Sequence, residues 1–271
     1  MPTEYKFQSP TSENSNHPFP EEITNNHRVL YHGTSNIFEK EIEENGLSPN
    51  NSVFSLEELK EISALFDLIN WRKKGFWSKN IIRNYTINKD YKNPNLKPVY
   101  LGESCQRVLT FSSKEFAGGE NVSGVRKTFK ELKECIDDPK LLDRELEFYK
   151  RECREAEENG YYPPDPIITD LGNLKNELES LEYLNERAKE YTKAYSYGVV
   201  FAIEIEPENF PDMSHSFSQG FKMYSNIKRN QILGKTRVPE NYKVDFFAES
   251  PFWELPNYEG VVKKLAINSE P

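Results

Sequence analysis

The chain contains two kinds of hydrophobic pattern, and their order predicts its secondary structure. Short runs rich in β-branched and aromatic residues lie at 28–31, 99–101 and 199–205, with further ones at 231–233, 237–239 and 242–247. Longer stretches with an apolar residue every three or four positions, typical of amphipathic helices, lie between them. Because strands lie on both sides of the helices without regular alternation, we expect an α+β fold rather than a doubly wound sheet.

Two helices are predicted in the first third of the chain. One follows the turn at 32–35 and ends at Gly46, a residue typical of helix C-caps. The other covers 56–70, where apolar residues again recur at helical spacing. The run at 108–111 is β-prone and predicts a further strand.

Residues 126–195 predict a charged helical hairpin. Each half carries a leucine-rich stripe, and the halves are separated by Asn159-Gly160 and by prolines at 163–166. We interpret the hairpin as an insertion that packs on its own leucines. A partner-binding role for 126–195 is the open alternative.

The N-terminal residues 1–27 have a different composition. They are rich in Ser, Asn, Pro and Glu and show almost no periodicity, which predicts a flexible or loosely docked arm. The ordered domain is therefore expected over 28–271.

Composition excludes several classes of protein. The net charge of −9 argues against a general nucleic-acid binder, and no apolar run reaches the roughly 18 residues that span a bilayer. The three cysteines lack CxxC spacing and the four histidines are scattered, so we expect no metal site. No classical signal peptide is recognisable, which indicates a cytoplasmic protein or an effector exported by another route. Glycine-rich dinucleotide and P-loop motifs are absent from the sequence.

A strand, a turn and a helix carry the first recognisable motif. Leu30-Tyr31-His32-Gly33-Thr34-Ser35, followed by Asn45-Gly46-Leu47, resembles the first motif of ADP-ribosyltransferases of the diphtheria-toxin and poly(ADP-ribose) polymerase type. The resemblance implies a split β-sheet core in which His32, Gly33 and Thr34 bind NAD. His32 would donate to the ribose hydroxyl beside nicotinamide, and the Gly33 backbone would hold the carboxamide.

The second motif of that family is an aromatic residue at the start of a strand, which stacks on the nicotinamide ring. Val99-Tyr100-Leu101 is similar to it, so the resemblance assigns this role to Tyr100. Phe111 or Ser112, in the segment that follows, is the alternative.

The third motif is usually a glutamate that opens a strand before a Val-Pro or Ile-Pro turn. Here Gln231 occupies that position, ahead of Val238-Pro239. Glutamine can hydrogen-bond the ribose but brings no charge to stabilise the leaving of nicotinamide. The preceding loop, 218–229, would face the acceptor, and its candidate substrate contacts are Phe221, Lys222, Met223 and Tyr224.

The segment 71–98 is basic and aromatic. It holds eight Lys or Arg against the single acid Asp90, interleaved with tryptophan, tyrosine and phenylalanine. Three interpretations are open: a lid whose aromatics pack into the core, a groove for nucleic acid, or a segment that holds the pyrophosphate of NAD.

The resemblance implies a metal-free mono-ADP-ribosyltransferase that uses NAD as substrate and modifies a protein or nucleic acid, in the manner of a toxin, effector or defence enzyme. Chain elongation is not expected with Gln231 in the third position. Two alternatives are open: an RNA 2′-phosphotransferase-like enzyme, and a catalytically inactive protein of the same fold that binds a partner.

Overall fold

The structure is a computed structural model. It describes residues 2–11, 13–49, 52–69, 98–138, 171–216 and 220–243, together with 151, 154, 155 and 157–160. The basic segment 71–97, the prolines at 163–166 and the β-prone run at 244–247 lie outside the described residues.

The helices follow the predicted amphipathic stretches. The turn predicted at 32–35 is wrong, because strand β2 (Val29–Ser35) continues through these residues. The helix that follows it ends at Asn45, and Gly46 follows with a φ of +82°, as expected of a C-cap glycine. The helix predicted over 56–70 is also confirmed. The described helices are α1 (Glu21–Thr24), α2 (Asn36–Asn45), α3 (Leu56–Ile69), α4 (Cys105–Val108), α5 (Glu120–Asp137), α6 (Leu171–Ser180) and α7 (Glu182–Ala194).

The described strands form two sheets. A four-stranded sheet has the order β1-β7-β4-β2, and a three-stranded sheet has the order β3-β6-β5. All strand pairs are antiparallel except β1 with β7. The strands are β1 (Thr3–Tyr5), β2 (Val29–Ser35), β3 (Val99–Leu101), β4 (Tyr197–Glu204), β5 (Met213–Ser216), β6 (Gly220–Met223) and β7 (Ile232–Pro239).

The chain is therefore a mixed helix and sheet protein, as predicted. It divides into two compact units, one formed by 1–52, 95–120 and 191–271, the other by 53–94 and 121–190. The helical unit thus includes α3 as well as most of the expected insertion, and helix α5, which leads into it, begins at Glu120.

Strand β4 is buried on both of its faces, which explains why it has no polar alternation. One face of β4 presents Val199, Phe201 and Ile203 to a cluster that also contains residues of β3 and β6. The other face presents Val200 and Ala202 to a second cluster built from α4 and the N-terminal segment. A strand covered on both faces is expected to be continuously apolar.

The second unit has its own apolar core, in which Phe54, Leu59 and Leu132 are fully buried. At the edge of this core, the Arg187 guanidinium binds the Glu58 carboxylate at 2.8 Å and lies 5.6 Å from the centre of the Phe54 ring. The expected insertion thus packs together with residues 53–69, which precede it in the chain, and not on its own leucines alone.

The prediction of a flexible arm at 1–27 is corrected by the structure. Strand β1 pairs with β7, and Phe19 and Ile23 are buried against Tyr31 and its neighbours. The Phe19 and Tyr31 ring centres are 5.4 Å apart. The arm is thus part of the first unit, and it packs directly behind the strand that carries His32.

The strand predicted at 108–111 is also wrong. Val108 ends helix α4, and Leu109–Ser112 form a 3-10 turn. This turn packs on glycines of the sheet: a Cβ on Gly33 would lie 2.0 Å from the Val108 carbonyl oxygen, and one on Gly198 would lie 2.2 Å from that of Ser112. Close packing of the turn on the sheet overrides the local β propensity.

The packing of the N-terminal segment predicts a measurable loss of stability. Truncating buried Phe19 to alanine removes its contacts with Tyr5 and Tyr31, so we expect the free energy of unfolding to fall by about 3 kcal/mol. Urea denaturation followed by circular dichroism measures this change. Glu22→Ala, at an exposed position of α1, is the control and should change stability by less than about 0.5 kcal/mol. Equal stability of Phe19→Ala and Glu22→Ala would show that the arm is loose.

Candidate functional site

Strand β2 carries His32, Gly33 and Thr34, and its register decides where each side chain lies. Leu30 packs in the first apolar cluster and Tyr31 in the second, so the strand alternates between the two faces of its sheet. His32 lies on the face of Leu30 and pairs with Phe201 of β4. Thr34 is 6% exposed and thus offers little surface to a ligand.

The His32 ring is fixed by a backbone group of β3. Its Nδ1 lies 2.9 Å from the carbonyl oxygen of Tyr100. Because a carbonyl can only accept, Nδ1 carries the proton. In the neutral ring, Nε2 is then a free acceptor.

The charge state of His32 follows from its surroundings. Burial lowers the pKa of the imidazole, and the hydrogen bond to Tyr100 offsets part of that lowering. The ring is enclosed by protein but keeps part of its solvent exposure. His32 is therefore neutral at pH 7, with its Nδ1 proton bound to the Tyr100 carbonyl and Nε2 left as the acceptor of the ring.

The backbone N–H and C=O of Gly33 face the outer edge of β2. Tyr31 exchanges two hydrogen bonds with Gly102, at 2.8 and 2.7 Å, across the outer edge of β2. By the period of two in a strand, the N–H and C=O of Gly33 face the same edge. Within the described residues, neither group has a hydrogen-bond partner there. A buried glycine thus presents one backbone donor and one acceptor side by side.

Tyr100 lies next to this edge. The bridge between Tyr31 and Gly102 is antiparallel, so Tyr100, two residues before Gly102, lies beside Gly33, two residues after Tyr31. Val99 and Leu101 on either side of Tyr100 are buried, whereas Tyr100 is partly exposed. The structure therefore brings His32, Gly33 and Tyr100 together.

The alternative residues for the second motif are placed elsewhere. Ser112 is fully buried; its hydroxyl donates to the Leu109 carbonyl, and its own carbonyl accepts from Tyr195. Phe111 packs edge-on against Phe116, with ring centres 5.5 Å apart. Ser112 serves the packing of the 3-10 turn, and the prediction that it contacts the cofactor is corrected.

Gln231 is also assigned a different role by its contacts. Its amide nitrogen donates to the Glu204 carbonyl at 3.0 Å and to Asn209 Oδ1 at 2.9 Å, and its oxygen accepts from the Lys228 N–H at 2.7 Å. The side chain is 2% exposed. Both of its N–H donors are therefore used inside the protein, so Gln231 ties the start of β7 to the end of β4.

Gln231 is also distant from His32. His32 lies in one cross-strand row with Phe201 and Lys235, whereas Gln231 precedes Ile232, which pairs with Ile203. Gln231 is two strand spacings across the sheet from His32 and about three residues along the strand direction. The backbones of the two residues are therefore about 14 Å apart. The structure does not bring the predicted third residue to the first two.

The expected substrate loop 218–229 contains strand β6 instead. Phe221 and Met223 are buried in the core at 2% and 0% exposure, which corrects their assignment as substrate contacts. Lys222 and Tyr224 are partly exposed. Lys222 pairs with Tyr100 across β3 and β6, so it lies beside the candidate site.

The structure also reveals a buried ionic cluster that the sequence did not indicate. Glu39 on α2 accepts from Lys235 at 2.5 Å, from Tyr197 at 2.8 Å and from Arg237 at 3.0 Å. Burial alone would raise the pKa of Glu39, but these hydrogen bonds outweigh it and hold the pKa below its usual value. The cluster fixes helix α2, which starts directly after strand β2, against β4 and β7. The signal in the sequence was Lys235, a charged residue at a buried position of strand β7.

Comparison of the chain with protein-family models, curated proteins and solved structures finds no match. Within the described residues, no group of three His, Cys, Asp or Glu side chains is arranged to hold a metal ion. In that part of the chain no helix combines the length and apolar composition needed to cross a membrane.

The contacts of Gln231 predict the effect of restoring the expected acid. Gln231→Glu replaces two N–H donors by a carboxylate that faces the oxygens of Glu204 and Asn209, so we expect a loss of at least about 2 kcal/mol in stability. Urea denaturation at pH 7.5 measures it. Asn230→Asp makes the same charge change at the exposed neighbouring residue and should be nearly neutral. A stable Gln231→Glu variant with enhanced NAD cleavage would instead place Gln231 in the reaction.

Proposed function

We propose that this chain is an NAD-dependent mono-ADP-ribosyltransferase whose nicotinamide site is formed by Gly33, Tyr100 and His32. The observation that carries the proposal is the backbone of Gly33, whose N–H and C=O have no hydrogen-bond partner among the described residues, next to the partly exposed residues Tyr100 and His32. A primary carboxamide offers one donor face and one acceptor face, which match the C=O and N–H of a single extended residue.

Each of the three residues has a separate task in this proposal. The Gly33 backbone holds the carboxamide, and the Tyr100 ring stacks on the pyridinium, whose positive charge favours an aromatic face. His32 Nε2 accepts a hydrogen bond from a hydroxyl of the adjoining ribose, while Nδ1 remains bound to the Tyr100 carbonyl. Held in this way, the glycosidic bond is presented to an acceptor on the opposite side of the ribose.

The reaction then breaks one bond and forms another. The electron pair of the bond between ribose C1′ and the nicotinamide nitrogen leaves with nicotinamide, which becomes neutral, and the sugar passes through an oxocarbenium-like state. A nucleophilic atom of a protein or nucleic-acid acceptor attacks C1′ and loses its proton. Among the described residues, no carboxylate contacts His32. We therefore expect slow turnover unless the acceptor or the rest of the chain supplies an acid.

A second function is favoured by the position of Gln231. With its amide bound inside the protein and about 14 Å of backbone distance from His32, it supplies neither charge nor contact to the reacting ribose. A protein of this fold that binds the nicotinamide end of NAD without cleaving it fits this arrangement equally well. Nicotinamide release distinguishes the two functions.

The site predicts saturable NAD binding that depends on His32. Isothermal titration of wild type should give a dissociation constant that rises at least tenfold in His32→Ala, because the ribose contact and the support of Tyr100 are both removed. His27→Ala changes an exposed histidine and is the matched control. Slow release of nicotinamide, measured by chromatography and lost in His32→Ala, supports transfer; binding without release supports the second function. Absence of NAD binding by folded wild type would refute both.

A further inference from the structure

The N-terminal segment supplies hydrogen-bond acceptors to the start of helix α4. The first backbone N–H groups of a helix have no partner within the helix itself. In α4, the Cys105 N–H donates to Asn16 Oδ1 at 3.2 Å. The Gln106 N–H donates to the Ser15 carbonyl at 2.9 Å. The start of α4 is therefore held by two residues of a segment 89 positions earlier in the chain.

Asn16 is itself held in place by its neighbours in the N-terminal segment. Its N–H donates to Asn14 Oδ1, and its carbonyl accepts from the Phe19 N–H, both at 3.0 Å. Phe19 is buried and packs on the Tyr31 ring. The Asn16 side chain is therefore a fixed acceptor for the Cys105 N–H.

The other end of α4 lies against two glycines, one on β2 and one directly after β3. A Cβ on Gly33 would lie 2.0 Å from the Val108 carbonyl oxygen, and one on Gly102 would lie 2.4 Å from Val108 Cγ1. Val108 thus packs directly on both glycines. Gly102 is also the residue that exchanges two backbone hydrogen bonds with Tyr31. Because the four residues of α4 span only about 6 Å, a shift at its start reaches Val108.

We propose that Asn16 is a positioning residue for the candidate site. Through α4 it sets the position of Val108 against Gly33 and Gly102, and so the alignment of β2 with β3. Asn16 acts through Val108 and does not itself contact a ligand. The part of this inference that concerns a ligand rests on the proposed function, because it uses a carboxamide bound at Gly33.

The first test measures the alignment without any ligand, by amide hydrogen exchange followed by NMR. Asn16 is half-buried, so its truncation leaves the fold intact. In Asn16→Ala, the amides of Tyr31 and Gly102 should exchange about tenfold faster, while those of β4 keep their wild-type rates. Asn16→Asp should restore slow exchange, because a carboxylate oxygen accepts the same bond. Asn25→Ala removes an exposed asparagine of the same segment and is the matched control.

The second test measures the affinity of the same four proteins for nicotinamide by NMR titration. The dissociation constant should rise about fivefold in Asn16→Ala and stay within about twofold of wild type in Asn16→Asp and Asn25→Ala. A residue with a purely structural role would lower the fraction of folded protein and leave the affinity of the folded molecules unchanged.

The outcomes separate this inference from the proposed function. Wild-type exchange of the Tyr31 and Gly102 amides in Asn16→Ala overturns the inference. Faster exchange spread evenly over β2 and β4 also overturns it, as does unchanged affinity for nicotinamide or a failure of Asn16→Asp to restore slow exchange. If wild type does not bind nicotinamide, the proposed function fails, and the exchange rates alone decide whether Asn16 sets the alignment.

Discussion

Two backbone hydrogen bonds between Tyr31 and Gly102 join the two sheets of the first unit. They align β3 against β2, and every feature of the candidate site follows from that alignment. The Tyr100 carbonyl reaches His32 Nδ1, Tyr100 lies beside Gly33, and beyond the bridge the described residues provide no partner for the backbone N–H and C=O of Gly33. The ionic cluster around Glu39 and the packing of Phe19 on Tyr31 hold β2 and α2 from both faces of the sheet.

The elements that were predictable from the sequence are those whose signals are local. The strand with His32, the helix that ends before Gly46, and the apolar strand β4 each carry their pattern within a few residues. Tyr100 lies on the short strand that its sequence predicted, whereas His32 lies on β2, which extends past the predicted strand end at Tyr31.

The elements that were missed depend on partners far away in the chain. Strand β1 exists because Thr3–Tyr5 pairs with residues more than two hundred positions later, and nothing in its own composition indicates a strand. The 3-10 turn at Leu109–Ser112 is β-prone, yet it forms because Gly33 and Gly198 leave room for its backbone. In both cases the tertiary contacts outweigh local propensity.

Gln231 has a structural role that its sequence position did not indicate. Gln231 lies directly before strand β7, as predicted. The next residue, Ile232, pairs with Ile203 of β4, whereas His32 pairs with Phe201, so Gln231 is not in the cross-strand row of His32. A buried amide with three internal hydrogen bonds needs no ligand to explain it. By contrast, the described residues provide no partner for the backbone donor and acceptor of Gly33, and this is what points to a carboxamide.

The central claim is that the outer edge of β2 at Gly33 binds a carboxamide, and backbone NMR tests it most directly. In a titration of isotopically labelled protein with nicotinamide alone, the amide resonance of Gly33 should move more than almost any other, with His32 and Tyr100 responding at the same ligand concentrations. The amide of Gly160, in the helical unit, should not change. A Gly33 resonance that stays in place at saturating nicotinamide, or shifts that occur only elsewhere, would contradict the account.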